Sequence, residues 1–198
     1  MSLHKVEMKN PEESPEYKIE EAVIISHKDL GYDIIYPPIR RVLLYRWAGI
    51  VDLILLPKEH KHRLVLIEAK HSANAESGEK VIGQLLKYYA YALRLGENGL
   101  NLLANFSETN TTLARGVTKI TPQKLSGGLH RNQAMPEMEK GEHLRPEEIG
   151  LFVAVNHEPE SSLLEIVNVL KKYHKLDIGI IQVAPDGLLT FPQKVLNE

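Results

Sequence analysis

Two apolar runs decide how this chain folds: Gly49-Ile-Val-Asp52-Leu-Ile-Leu-Leu56 and Leu64-Val-Leu-Ile-Glu68-Ala-Lys70. Between them lies a charged hinge, Pro57 to Arg63. Short apolar runs bounded by polar, turn-forming residues are the pattern of a hairpin whose strands are buried on both faces. Charge inside such strands needs a reason, because desolvating an unpaired carboxylate or ammonium is very costly. Asp52, Glu68 and Lys70 are therefore the residues to explain.

Strand side chains alternate, so Glu68 and Lys70 share a face. A hinge turning symmetrically about His60 sets Asp52 opposite Glu68, Ile54 opposite Leu66 and Leu56 opposite Leu64. One face is then apolar at the hinge end and carries two acids and a lysine at the other, about 5 Å apart across the strands. An asymmetric hinge would shift this register by one residue.

The 198 residues suffice for one domain with a sizeable core and room for an insertion. With no cysteine anywhere, disulfides, zinc fingers and iron–sulfur clusters are excluded. No apolar run approaches the ~20 residues of a membrane helix, and the N-terminus has no signal-peptide core. No membrane partner and a cytoplasmic location are the expectation. A net charge of −2 argues against a general polyanion binder. Charge is uneven, however: residues 38–94 hold 10 Lys/Arg against 5 Asp/Glu, or +5, whereas residues 1–37 hold 4 against 8. A local basic surface around a carboxylate site is compatible with nucleic acid.

Outward from the hairpin, Glu16 to Leu30 reads as a helix, with Ile19, Val23 and Leu30 on one stripe and Gly31 at its end. Glu20 and Glu21 lie in its first half; Glu20 adjoins Val23 and Ile24 and so can face the sheet. Tyr32 to Tyr36 reads as a short strand stopped by Pro37-Pro38, and Arg41 to Arg46 as another. The hinge contains His60-Lys61-His62, which reads as two solvated histidines, not as a metal site. After Lys70, polar residues introduce a helix running to Leu95 and closed by Gly96. Val81, Leu85, Tyr88, Ala92 and Leu95 form its apolar stripe, and Gln84 and Tyr88, one turn apart, border it.

From Glu97 to Pro146 periodicity fades, and the stretch reads as a polar insertion, a flap touching substrate or forming a dimer. Ile149 to Val155 reads as a strand, Ser162 to Lys175 as a helix opened by a capping box, and Ile178 to Val183 as a further strand. Asp186-Gly187 then turns into Leu188 to Phe191. The expectation is one domain over 1–198, with its core in 16–96 and 147–192 and the insertion at 97–146.

Hard cations such as Mg²⁺ are held by one or two carboxylates together with waters and substrate phosphate. Asp52 and Glu68 on adjacent strands supply that set, and Lys70 puts a cation beside it, to orient water or neutralise charge at phosphorus. Gln84 is placed to position the lysine or the water.

Asp52, the triplet Glu68-Ala69-Lys70 and the later Gln84-x-x-x-Tyr88 resemble the PD-(D/E)xK nuclease superfamily, most of all its RecB-like branch. The resemblance covers residues 16–95, and the strand–helix–strand of 149–183 is similar to the family's usual continuation. It implies an α/β, restriction-endonuclease-like core: a central mixed β-sheet flanked by helices (αβββαβ), with a βαβ extension. It also implies a nuclease dependent on Mg²⁺ or Mn²⁺ that acts on DNA ahead of RNA, in repair, recombination or defence. Asp52 and Glu68 would bind metal, with the Ala69 carbonyl as a further ligand, and Lys70 would be catalytic. Glu20 or Glu21 would match the acid that many members carry on the first helix. Val51 stands where the nominal motif has proline, and the cysteine-ligated cluster of some RecB-like exonucleases is impossible here. The alternatives are a catalytically silent module of the same fold, which binds nucleic acid or protein, and a purely structural ion cluster. A homodimer would suit so small a nuclease acting on two strands.

Overall fold

The computed structural model describes residues 15–34, 36–45, 49–72, 78–115 and 143–191. Six strands form one mixed sheet in simple sequence order: β1 (Ile39–Tyr45), β2 (Gly49–Leu55), β3 (Leu64–Lys70), β4 (Ile149–Val155), β5 (Ile178–Val183) and β6 (Leu189–Thr190). The first three run antiparallel to one another, β3, β4 and β5 are parallel, and β6 returns antiparallel. This is an α/β architecture with helices on both faces of the sheet.

The hinge does turn about His60. Leu53 pairs with Ile67, Ile54 with Leu66 and Leu55 with Val65, so every paired couple sums to twice 60. Alternation along β3 then divides the core. Leu64 and Leu66 belong to one apolar cluster with Val81, Leu85 and Tyr88 of helix α2 (Gly78–Ala92) and Leu163 and Val167 of helix α4 (Ser161–His174). Val65, Ile67 and Ala69 belong to the other, with Ile19 and Val23 of helix α1 (Pro15–Ile25). A strand walled on both sides has no polar face to spare, which is why β3 is apolar until Glu68.

Several elements differ from the sequence reading. Helix α1 ends at Ile25, not Leu30. The His27 ring bonds the Ile24 carbonyl at 2.8 Å, capturing an acceptor that a continuing helix would use. Beyond it, Asp29, Leu30 and Gly31 bond three residues back, in turns. Among the described residues of Tyr32 to Tyr36 there is a single bridge, Ile34 to Pro57, and no strand. Helix α4 has Glu160 at its N-cap and no side-chain cap; the Ser162 hydroxyl donates to the Glu160 carboxylate at 3.4 Å, so the capping box does not form.

The largest correction lies after Gly96. Helix α3 (Gly96–Arg115) occupies the start of the supposed polar insertion. Leu100, Leu103 and Ala104 are buried in the α2-side cluster, and the Ser107 hydroxyl donates to the Pro37 carbonyl at 2.5 Å. One narrow apolar stripe among asparagines and threonines was enough to dock it. Residues 116–142 lie outside the described residues.

The hinge histidines are also unlike the expectation. His62 is buried, only 3% exposed. Its Nε2 donates to the Asp177 carboxylate at 2.8 Å, leaving Nδ1 to accept from the Tyr32 hydroxyl at 2.6 Å. His60 stacks edge-on against Tyr32, and Lys61 pairs with Asp177. These side chains tie the entries of β3 and β5 together at the hinge end of the sheet. Among the described residues, no helix is long and apolar enough to cross a membrane.

Candidate active site

At the end of the sheet away from the hinge, β2 leaves β3. Pairing between them stops at Leu53 and Ile67. The Ala69 N–H bonds the Asp52 carboxylate (Oδ2) at 2.9 Å, so a side chain holds the separating strands together. Pairing with β1 is interrupted at the same level: Arg40 meets Leu53 and Val42 meets Val51, with Arg41 and Asp52 between them. Arg41 has a φ of 54°, a left-handed conformation uncommon for a side-chain-bearing residue. The outcome is a notch between two strands, with Asp52 in it.

Glu68 reaches the notch from β3 on the α2 face and is buried. Lys70, two residues on and so on the same face, lies 2.8 Å from Glu68 Oε1. The other carboxylate oxygen, Glu68 Oε2, is buried with no hydrogen-bond partner. Burial and the neighbouring Asp52 charge push the Glu68 carboxyl up to about 7, against the opposing pull of Lys70 and Tyr88. Burial likewise raises Asp52, while the Ala69 N–H, Lys70, Arg41 and a hydrogen bond shared with the Glu68 carboxyl pull it back.

Glu20 arrives from α1, on the opposite face, and is 1% exposed. Arg41 lies 3.5 Å and Arg40 3.7 Å from its carboxylate oxygens. Burial raises Glu20 to about 7, and the Asp52 charge adds to the rise, which puts these two acids within electrostatic reach. Glu21, the other candidate on this helix, is exposed. Gln84 is half-buried on α2, and its Oε1 accepts no hydrogen bond, so it does not orient Lys70 through that atom. One turn later Tyr88 donates to the Ile50 carbonyl at 2.6 Å, bracing β2 where it departs from β3.

The structure thus brings together Asp52, Glu68, Lys70 and the Ala69 backbone, with Glu20 approaching from behind. Among the described residues, no three His, Asp or Glu side chains converge tightly enough to form a ready-made metal cage. Sequence reasoning missed Arg40 and Arg41. Their one signal was two adjacent charges in an otherwise apolar strand, where alternation should have buried one of them unpaired. No family model, no curated protein and no solved structure matches the chain.

Proposed function

We propose that the chain is a divalent-metal-dependent nuclease of the PD-(D/E)xK type, hydrolysing phosphodiester bonds in DNA. The observation that carries this reading is the notch itself: Asp52 and Glu68 on separating strands, with the Lys70 ammonium 2.8 Å from Glu68. The element order supports it as well. A helix, three antiparallel strands, helix α2 and a strand parallel to the third follow the αβββαβ order that the sequence resemblance implies, with helix α3 added between α2 and β4.

The residues present fit a hard cation. Both side chains offer carboxylate oxygens, the donors such ions prefer. Glu68 Oε2 is buried and unpartnered, and both carboxyls are raised by burial, a cost that a nearby positive ion offsets. Asp52, Glu68 and the Ala69 carbonyl would hold the ion, which when bound supplies Lewis acidity and an activated water. The chain's own contribution is positional. Asp52 is fixed through the Ala69 N–H, Glu68 through Lys70, and Lys70 brings a positive charge to where charge develops on the phosphate.

A second reading keeps the fold and drops the chemistry. It is favoured by the absence, among the described residues, of three converged acids and by the closed Lys70–Glu68 pair. On that reading the chain is a silent module that binds nucleic acid or protein. Incubating labelled single-stranded, duplex and branched DNA and RNA with Mg²⁺ or Mn²⁺, with EDTA as control, separates the two. Cleavage that EDTA abolishes supports the nuclease; binding without cleavage supports the module.

A further inference from the structure

We propose that Arg41, with Arg40 beside it, grips a backbone phosphate of the DNA presented to the Asp52–Glu68 notch, and that Glu20 holds both guanidiniums ready for it. The assignment rests on the reading of the notch as a nucleic-acid site. Three independent observations carry it.

The first is direction. Consecutive strand residues point to opposite faces, yet Arg40 and Arg41 both reach Glu20. The left-handed φ of 54° at Arg41 breaks the alternation and turns its side chain to the Arg40 side. That conformation costs an ordinary residue roughly 1–2 kcal/mol, and a glycine there would avoid it. Irregularities of this kind re-aim side chains beside functional sites. This one falls opposite Asp52.

The second is excess. Two guanidiniums face one carboxylate, at 3.5 and 3.7 Å, well beyond the roughly 2.7–2.9 Å of a charge-assisted hydrogen bond. Arg40 Nη1 and Arg41 Nε are buried without a hydrogen-bond partner, and so is Glu20 Oε2, which Arg40 Nη1 approaches only to 3.7 Å. An ion pair built only to neutralise Glu20 would need one arginine and would close tightly. Donors left over beside a loosely held acid describe a site short of one acceptor.

The third is access. β1 is the first strand of the sheet, and among the described residues no strand pairs with its outer edge. About a third of the Arg41 side chain, 35%, is exposed, against 23% for Arg40. Arg40 is stacked on Tyr17 of α1, with its guanidinium 4.1 Å from the ring centre, which fixes one member of the pair and leaves Arg41 as the more exposed one. The planar fork of a guanidinium matches two phosphate oxygens at once, which a lysine ammonium does not.

The test is binding of labelled single-stranded and duplex DNA in EDTA, where no metal-dependent cleavage intrudes, titrated with salt. Arg41→Gln should shallow the slope of log affinity against log salt by about one ion, weakening duplex binding roughly eightfold at about 0.1 M salt. Arg41→Lys should keep the slope and lose part of the affinity. Glu20→Gln frees both guanidiniums and should tighten binding. If Arg41→Gln melts earlier yet binds with the wild-type slope, Arg41 merely neutralises Glu20 and the proposal is overturned. Wild-type protein that binds no DNA overturns it too. Wild-type protein that binds DNA but cleaves none with Mg²⁺ or Mn²⁺ sinks the nuclease reading alone; the Arg41→Gln slope still decides this assignment.

Discussion

The backbone N–H of Ala69 donates to the carboxylate of Asp52 at 2.9 Å, at the point where β2 and β3 have ceased to pair. One side chain closes a gap in the sheet and thereby fixes an acid next to Glu68. The geometry of the notch follows from that bond, and so do the first expectations.

Glu68 is raised to about 7 in the fold from an ordinary 4.5. Between those values the folded state holds a proton that the unfolded chain has lost, so this acid's contribution to stability is complete in acid and falls as pH rises through about 7. Glu68→Gln mimics the protonated form. It should leave stability unchanged near pH 4 and raise it by about 1–3 kcal/mol at pH 8. Urea melts at both pH values measure the difference; equal gains at both would mean that the acid is not strained by burial.

Divalent ions should relieve the same strain. Mn²⁺ is expected to raise the melting temperature of the wild type, more at pH 8 than at pH 5, because the ion must compete with protons for the carboxylates. Asp52→Asn and Glu68→Gln should each abolish that gain together with any cleavage. An unchanged Mn²⁺ response in both variants, read by calorimetry, would remove the metal from the notch.

Lys70 separates chemistry from affinity. If it stabilises charge developing on the phosphate, Lys70→Ala should lower the single-turnover cleavage rate by about 10²–10³-fold. Substrate binding should weaken far less. A loss confined to binding would make Lys70 a phosphate contact only.

At the hinge end, the Tyr32–His62–Asp177 chain should set acid sensitivity. Burial lowers the His62 pKa, although Asp177 opposes it. The stability this ring contributes is therefore present above pH 6.5 and lost as pH falls below it. Tyr32→Phe, which orphans Nδ1, should cost about 1–3 kcal/mol. A methyl group on Gly150 would lie 2.9 Å from that nitrogen, so Gly150→Ala should cost a similar amount. Chemical denaturation at pH 7 tests both, and a neutral Gly150→Ala would show that the ring can move aside.

Helix α3 offers a check on the fold that is independent of function. Leu103 is buried in the α2-side cluster, so Leu103→Ala should destabilise by about 2–4 kcal/mol. A peripheral flap would tolerate the change without loss, and a thermal melt distinguishes the two.

The sequence by itself determined the central hairpin and its register, because both strands are apolar enough to demand burial and the hinge has a symmetric centre at His60. It also determined that Glu68 and Lys70 share a face, since alternation is a property of any strand. The parallel return of β4 and β5 was legible from strand–helix–strand spacing. Only the tertiary structure decided the rest. Nothing local says that β2 abandons β3 at Asp52, that Arg41 turns left-handed opposite it, or that Glu20 meets both arginines from the far face. Nor does composition say that His62 is buried or that α3 docks through a few apolar residues; each depends on Tyr32, Asp177, Gly150 or the α2 face arriving from elsewhere in the chain. Periodicity is written residue by residue, whereas burial of a charge is settled by which distant groups come to meet it.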